Sequence, residues 1–170
     1  MIRGTCRKVQ VALVAKSIPL TLNPSAEYRL NPKTWPEVKR KRWLLPFDDN
    51  HILIELPVSH PEMMGDLSLE EEASWLQSHG YVAVLAHPER YRYLNLGMVR
   101  DMVRRGSLLF QCNYGSLVGA YGRDAMAVAK NLAAHGEVSY WGTDMHNARY
   151  FETLDRYVRC QTKVHNLSSN

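Results

Sequence analysis

A chain of 170 residues can bury a core as one domain, and 45% hydrophobic with 22% charged residues is the balance of an ordinary globular protein. The net charge of +4 is modest, and no apolar run reaches the ~20 residues that span a bilayer, which excludes a membrane helix. Cys6, Cys112 and Cys160 lie far apart and form no CxxC pair. That excludes a disulfide framework and a structural zinc site, and it points to reduced thiols in a cytoplasmic protein.

In chain order, residues 6–17 predict an amphipathic helix. Its apolar positions Val9, Ala12, Leu13 and Ala15 are interrupted by Gln10 and Lys16, unlike the continuous apolar region of a signal peptide. Residues 18–22, IPLTL, read as a short strand broken by Asn23-Pro24-Ser25, which places Glu27 just past a strand end. Pro32, Pro36 and Pro46 mark a loop-rich connection with a short helix over 36–42. The basic cluster Lys39 to Arg42 lacks the interleaved aromatics of a single-strand platform, so it reads as a solvated face and no nucleic-acid partner is expected. Residues 52–56, ILIEL, predict a buried strand. A carboxylate such as Glu55 inside that run is expensive unless it is paired or binds a cation.

A helix follows over 66–79, with Asp66 or Ser68 to cap it, Glu70 to Glu72 at its positive end, and Gly80 to stop it. Residues 81–87 form an apolar run suited to a strand buried on both faces, ended by Pro88, which cannot donate to a ladder. His87 therefore stands at a strand end with Arg90 three residues on. A helix over 96–105 closes at Gly106, and strand 107–112 delivers Gln111 and Asn113 near its end. A glycine-bearing loop over 114–122 leads to a helix over 123–135 stopped by Gly136. Residues 138–143 then lead to Asp144-Met145-His146-Asn147, a last helix spans 150–161, and the tail 164–170 frays. This alternation, with no repeat or linker to split residues 1–170, predicts one α/β domain around a parallel sheet.

Glu27, Glu55, His87, Asp144 and His146 all fall at strand ends, with Gln111 and Asn113 nearby. In a barrel such ends converge on one mouth. Two imidazoles and three carboxylates form a nitrogen-and-oxygen ligand set suited to Zn²⁺, Mn²⁺ or Fe. Paired ions of this kind serve phosphoester hydrolysis. Each residue also has a plain alternative. Glu27 in isolation reads as a loop carboxylate sooner than as a ligand, Arg90 equally as a salt-bridge partner, and Gln111 and Asn113 as turn-satisfying amides. The Asp144-x-His146 spacing would aim both side chains the same way from an extended segment.

The segments YVAVLAHPERY, QCNYGSLVGAYG and YWGTDMHN, in this order, with AEYRL and ILIELP upstream, resemble the bacterial capsular-polysaccharide type of protein-tyrosine phosphatase. That family belongs to the polymerase-and-histidinol-phosphatase superfamily, and the resemblance covers about residues 18–157. It implies a distorted, TIM-like β/α barrel holding divalent metal ions, Mn²⁺ first, with Fe or Zn also admitted by the ligand type. By motif match, Glu27, Glu55, His87, Asp144 and His146 are the implied ligands. Arg90, His87 and Asp144 carry the implied catalysis, and Arg90, Gln111 and Asn113 the substrate. The implied substrate is a phosphotyrosine protein such as a bacterial tyrosine kinase that controls surface-polysaccharide synthesis.

The family's N-terminal His-x-His units have no counterpart in this chain. An incomplete barrel, N-terminally truncated relative to the family and prone to self-association, is therefore expected. Two other readings follow from that departure and from the superfamily: a catalytically impaired remnant that binds a partner, or a small-molecule phosphatase.

Overall fold

Apolar β runs alternating with glycine-stopped helices fold as five parallel strands in one sheet, in the order β1-β2-β3-β4-β5. The computed structural model describes residues 2–41, 44–148, 150–152 and 154–155. The strands are β1 (Glu27–Arg29), β2 (His51–Glu55), β3 (Val82–Ala86), β4 (Leu109–Asn113) and β5 (Tyr140–Gly142). The helices are α1 (Ile2–Ala15), α2 (Trp35–Lys41), α3 (Leu69–Ser78), α4 (Leu96–Arg104), the single turn α5 (Tyr114–Leu117) and α6 (Arg123–Ala134). A strand order that never reverses belongs to a singly wound, barrel-type sheet. A doubly wound sheet would reverse its order at a switch point.

The core forms where one sheet face meets the helices. Ile52 and Ile54 of β2, Ala83 and Leu85 of β3 and Phe110 and Cys112 of β4 pack with Trp35, Leu76, Val99, Met102 and Leu132. Because side chains alternate along a strand, Leu53, Glu55 and Gln111 point to the opposite face. That face is curled. Tyr140 on the edge strand β5 reaches back past β4 and β3 to Phe47, with ring centroids 5.0 Å apart, and to His51, 5.7 Å away. In a flat sheet three strand spacings, ~14 Å, would separate β2 from β5.

Several elements differ from the sequence reading for identifiable reasons. Residues 18–22 are not a strand. The Gln10 amide donates to the Leu20 carbonyl and accepts from the Leu22 amide, both at 2.8 Å, so this segment is laced to α1 and not to the sheet. The first strand instead begins at Glu27, opposite Leu53. Helix α1 starts at Ile2, earlier than its apolar spacing suggested, and buries none of its residues. β4 runs two residues later than read at its start and includes Asn113. The loop after it contains α5. Ser68 occupies the cap position of α3 but makes no side-chain cap bond. The basic cluster is not wholly solvated. Lys39 binds Glu72 at 2.8 Å, and the buried Trp35 indole donates to the same carboxylate at 2.7 Å. Arg42, the end of the last predicted helix, and the tail lie outside the described residues.

Candidate metal and phosphate site

Strand register builds the site. Glu27 pairs with Leu53 and Arg29 with Glu55, so Glu27 and Glu55 stand two positions apart on the curled face. β3 ends at Ala86, and His87 adopts φ 36°, ψ 56°, the left-handed region. That is an uncommon conformation for a residue with a side chain, and such strain clusters at functional sites. It is fixed by two bonds: the His87 amide donates to the Gln111 carbonyl at 2.6 Å, and the Arg90 amide donates to the His87 carbonyl at 2.9 Å. The turn brings the buried imidazole against both carboxylates. His87 Nε2 lies 3.5 Å from Glu27 Oε1 and 3.6 Å from Glu55 Oε1. The contact with His87 holds the Glu27 carboxyl below the usual carboxylate range, against the opposing effect of burial.

One ligand atom from each of Glu27, Glu55 and His87 falls within 4.8 Å of the others. An ion with ligands at ~2.1 Å spaces them ~3–3.5 Å apart, so small shifts suffice to close this set on a divalent cation. The other ring nitrogen of His87 is buried with no hydrogen-bond partner among the described residues, which leaves Nε2 as the polar face of the ring. The donor set fits a metal.

Asp144 and His146 line the same cavity of about 400 Å³, with Glu27, Glu55 and Arg90, but stand outside the close triad. Asp144 also has a positive φ, 49°. Residues 144–146 are therefore not the extended segment that the spacing suggested. The two side chains stay in contact, His146 Nδ1 lying 3.4 Å from Asp144 Oδ1, but differ in exposure: His146 is 79% exposed and Asp144 13%. Asp144 Oδ2 instead accepts from Arg90 at 2.8 Å and from the Asn113 amide at 3.1 Å. Gln111 and Asn113 are buried, with the Gln111 amide donating to the Cys112 carbonyl and to Asn113 Oδ1 at 2.8 and 3.0 Å. Their polar groups thus form a relay that ends on Asp144.

Three participants lie in the quoted segments but were not singled out from the sequence. Arg29 grips Glu55 with two bonds, at 3.0 and 3.3 Å. Only the strand register reveals that pairing. Tyr121 lies under the Arg90 guanidinium, 4.3 Å from ring centroid to the guanidinium carbon. Glu89, buried, accepts from the Asn113 backbone amide and from the Ser116 hydroxyl at 2.9 and 2.7 Å, tying the His87–Arg90 turn to the end of β4.

Gly142 matters here because its missing side chain makes room for Gln111. A methyl placed on it would sit 2.5 Å from Gln111 Nε2. Gly142→Ala should destabilise the chain by about 1–3 kcal/mol through overpacking, read as a lower urea midpoint. The double variant with Gln111→Ala should recover most of that loss, and no recovery would place the strain elsewhere.

Two tyrosines near the site give a pH signature. Burial pushes the Tyr93 hydroxyl up to about 12, and it raises Tyr121 as well. The unfolded chain releases these protons near pH ~10, before the folded chain does, so stability falls as pH rises from about 10. Urea midpoints between pH 8 and 11 should decline at the alkaline end, and Tyr93→Phe should flatten the decline. An unchanged slope in that variant would remove Tyr93 as its source.

No helix among the described residues is long and apolar enough to cross a membrane. Compared with known proteins, the chain is 27% identical over 150 residues to the tyrosine-protein phosphatase YwqE of Bacillus subtilis (strain 168), covering 87% of this chain and 57% of that protein. CapC of Staphylococcus aureus is 25% identical over 164 residues, covering 85% of this chain and 62% of its own. A crystal structure from work on YwqE of Bacillus subtilis and CpsB of Streptococcus pneumoniae, described as metal-dependent tyrosine phosphatases, superposes with TM-score 0.72. It shares 29% identity and covers 88% of this chain and 59% of the solved one. The chain thus spans less than two thirds of the length of the relatives it matches. The family profile for capsular polysaccharide synthesis proteins, CpsB/CapC, matches residues 1–165, and the chain belongs to that family.

Proposed function

We propose that this chain is the catalytic part of a metal-dependent protein-tyrosine phosphatase acting in the control of capsular or exopolysaccharide synthesis. The observation that supports the reading most is the packing of Glu27, Glu55 and His87 into one ligand set beside the Arg90 guanidinium. A divalent cation there, Mn²⁺ in the first instance, would supply Lewis-acid polarisation of a phosphate and activation of water. Glu27, Glu55 and His87 would hold it, with Asp144 and His146 lining the same cavity. Arg90 offers a planar fork to the phosphate oxygens and stabilises the charge that develops on them during in-line attack. Gln111 and Asn113 serve substrate binding by fixing Asp144, which in turn aims Arg90. The reading needs no cysteine nucleophile: none of the three cysteines has an arginine six residues on, and burial raises the Cys112 thiol far above the reactive range.

The substrate is a phosphotyrosine segment of a protein such as a bacterial tyrosine kinase. The cytoplasm suits both that substrate and the free thiols Cys6 and Cys112. The test is phosphate release from a phosphotyrosine peptide by this chain with and without added Mn²⁺, alongside direct cation titration. Release that depends on the cation supports the reading. A folded chain that binds no cation and releases no phosphate would overturn it in favour of a partner-binding role.

A further inference from the structure

A second hollow, of about 530 Å³, opens beside the phosphate cavity and shares Arg90 and Tyr121 with it; Val58, Pro61, Arg92 and Tyr93 extend its wall. The polar groups along it differ in what they have left to offer. Arg90 pairs with Asp144 and lies against Tyr121, and its remaining donors are the ones assigned above to the phosphate. The Tyr93 hydroxyl donates to the Pro57 carbonyl at 2.5 Å, which leaves its ring as the exposed surface. Glu89 also borders the hollow, but one of its oxygens serves Asn113 and Ser116 and the other is sealed from solvent. Arg92 is different. Its ion partner among the described residues is Asp124 at 3.1 Å, and the two side chains are 80% and 72% exposed. Such a pair is worth little and is easily exchanged for another anion.

We propose that this hollow is a subsite for an acidic side chain flanking the phosphotyrosine of a protein substrate, with Arg92 as the counter-charge and the rings of Tyr93 and Tyr121 as its apolar walls. The proposal rests on the phosphatase reading. A phosphotyrosine in the neighbouring cavity passes its own chain over the Arg90–Tyr121 ridge that both spaces share. A residue next to it in sequence then falls within reach of a guanidinium that has four more donors than its one contact uses. Tyrosine rings offer an apolar body to the flanking side chain's stem, and the guanidinium selects its charge.

The test compares kcat/KM for two phosphotyrosine peptides of equal length that differ only in flanking Glu or Gln, with p-nitrophenyl phosphate as a substrate that has no flanks. The wild-type chain should prefer the Glu peptide by about three- to fivefold, through KM, and the preference should shrink in high salt. Arg92→Gln should bring the ratio between the two peptides to about one. Asp124→Asn, which releases Arg92 from its present partner, should raise the ratio above the wild-type value. Both substitutions are at largely exposed positions, so the fold is not at stake. A wild-type ratio of one with both peptides and p-nitrophenyl phosphate cleaved overturns the subsite alone. A preference that survives Arg92→Gln overturns it as well. Cleavage of none of the three substrates overturns the phosphatase reading and the subsite together.

Discussion

Replacing His87 with alanine is expected to abolish cation-dependent phosphate release and to weaken divalent-cation binding by more than about 100-fold. Loss of an outer partner of a metal ligand already costs 10–100-fold, and His87 supplies a ligand atom itself. It is also the residue that joins the other two, since its Nε2 lies within 3.6 Å of both Glu27 and Glu55. Without it the two carboxylates face each other with no imidazole between them. The side chain is only 2% exposed and packs at a tilt against Tyr91, ring centroids 5.4 Å apart, so alanine also opens a cavity. His87→Gln keeps most of the volume and a polar tip and serves as the fold control. Cation titration by calorimetry and unfolding in the presence of a chelator separate the two effects. A His87→Ala chain that is folded, binds Mn²⁺ at wild-type affinity and retains full turnover would remove this site from the mechanism.

How much of this was legible in the sequence follows from how local each cause is. The strand over His51–Glu55 and the one before His87 were readable because short, largely apolar runs bearing Ile52, Ile54, Val82 and Val84 and ended by Pro57 and Pro88 leave few alternatives. Helices α3 and α4 were readable from their stops: Gly80 and Gly106 sit just past them with φ of 81° and 72°, conformations that glycine adopts freely. Residues 18–22 misled because β propensity does not say whether a sheet edge is free to receive a strand. Here the Gln10 side chain holds those backbone groups. Glu27 was singled out for the right neighbourhood by a wrong local argument, since it opens β1 and does not follow a strand. The Asp144-x-His146 spacing assumed an extended backbone, and the left-handed turn at Asp144 removed that assumption. Arg29 was invisible for a different reason. Its partner Glu55 is 26 residues away, and only the pairing register of two parallel strands brings them together. Tyr121 sits in a glycine-bearing loop, where no periodicity tells which side chain turns inward.

The second large effect is expected at Arg90. Arg90→Lys keeps the positive charge but loses the planar fork and the flat face that lies on Tyr121. Removing a donor that stabilises developing charge typically costs about 10²–10³ in kcat, and a lysine recovers only the point charge, so a loss of about 100-fold is expected. Cation affinity should stay within about twofold, because Arg90 contacts Asp144 and none of the three triad residues by hydrogen bond. Arg90→Ala should lose more than Arg90→Lys. It leaves Asp144, 13% exposed, with the Asn113 amide as its remaining strong donor among the described residues and so removes the anchor of the cavity wall as well as the phosphate clamp. The decisive comparison is therefore between turnover and cation content across the two variants. Turnover that falls while cation content holds places Arg90 on the phosphate. If both fell in parallel in Arg90→Lys, the fork would be acting through Asp144 on the metal side of the cavity, and its assignment to the substrate would be wrong.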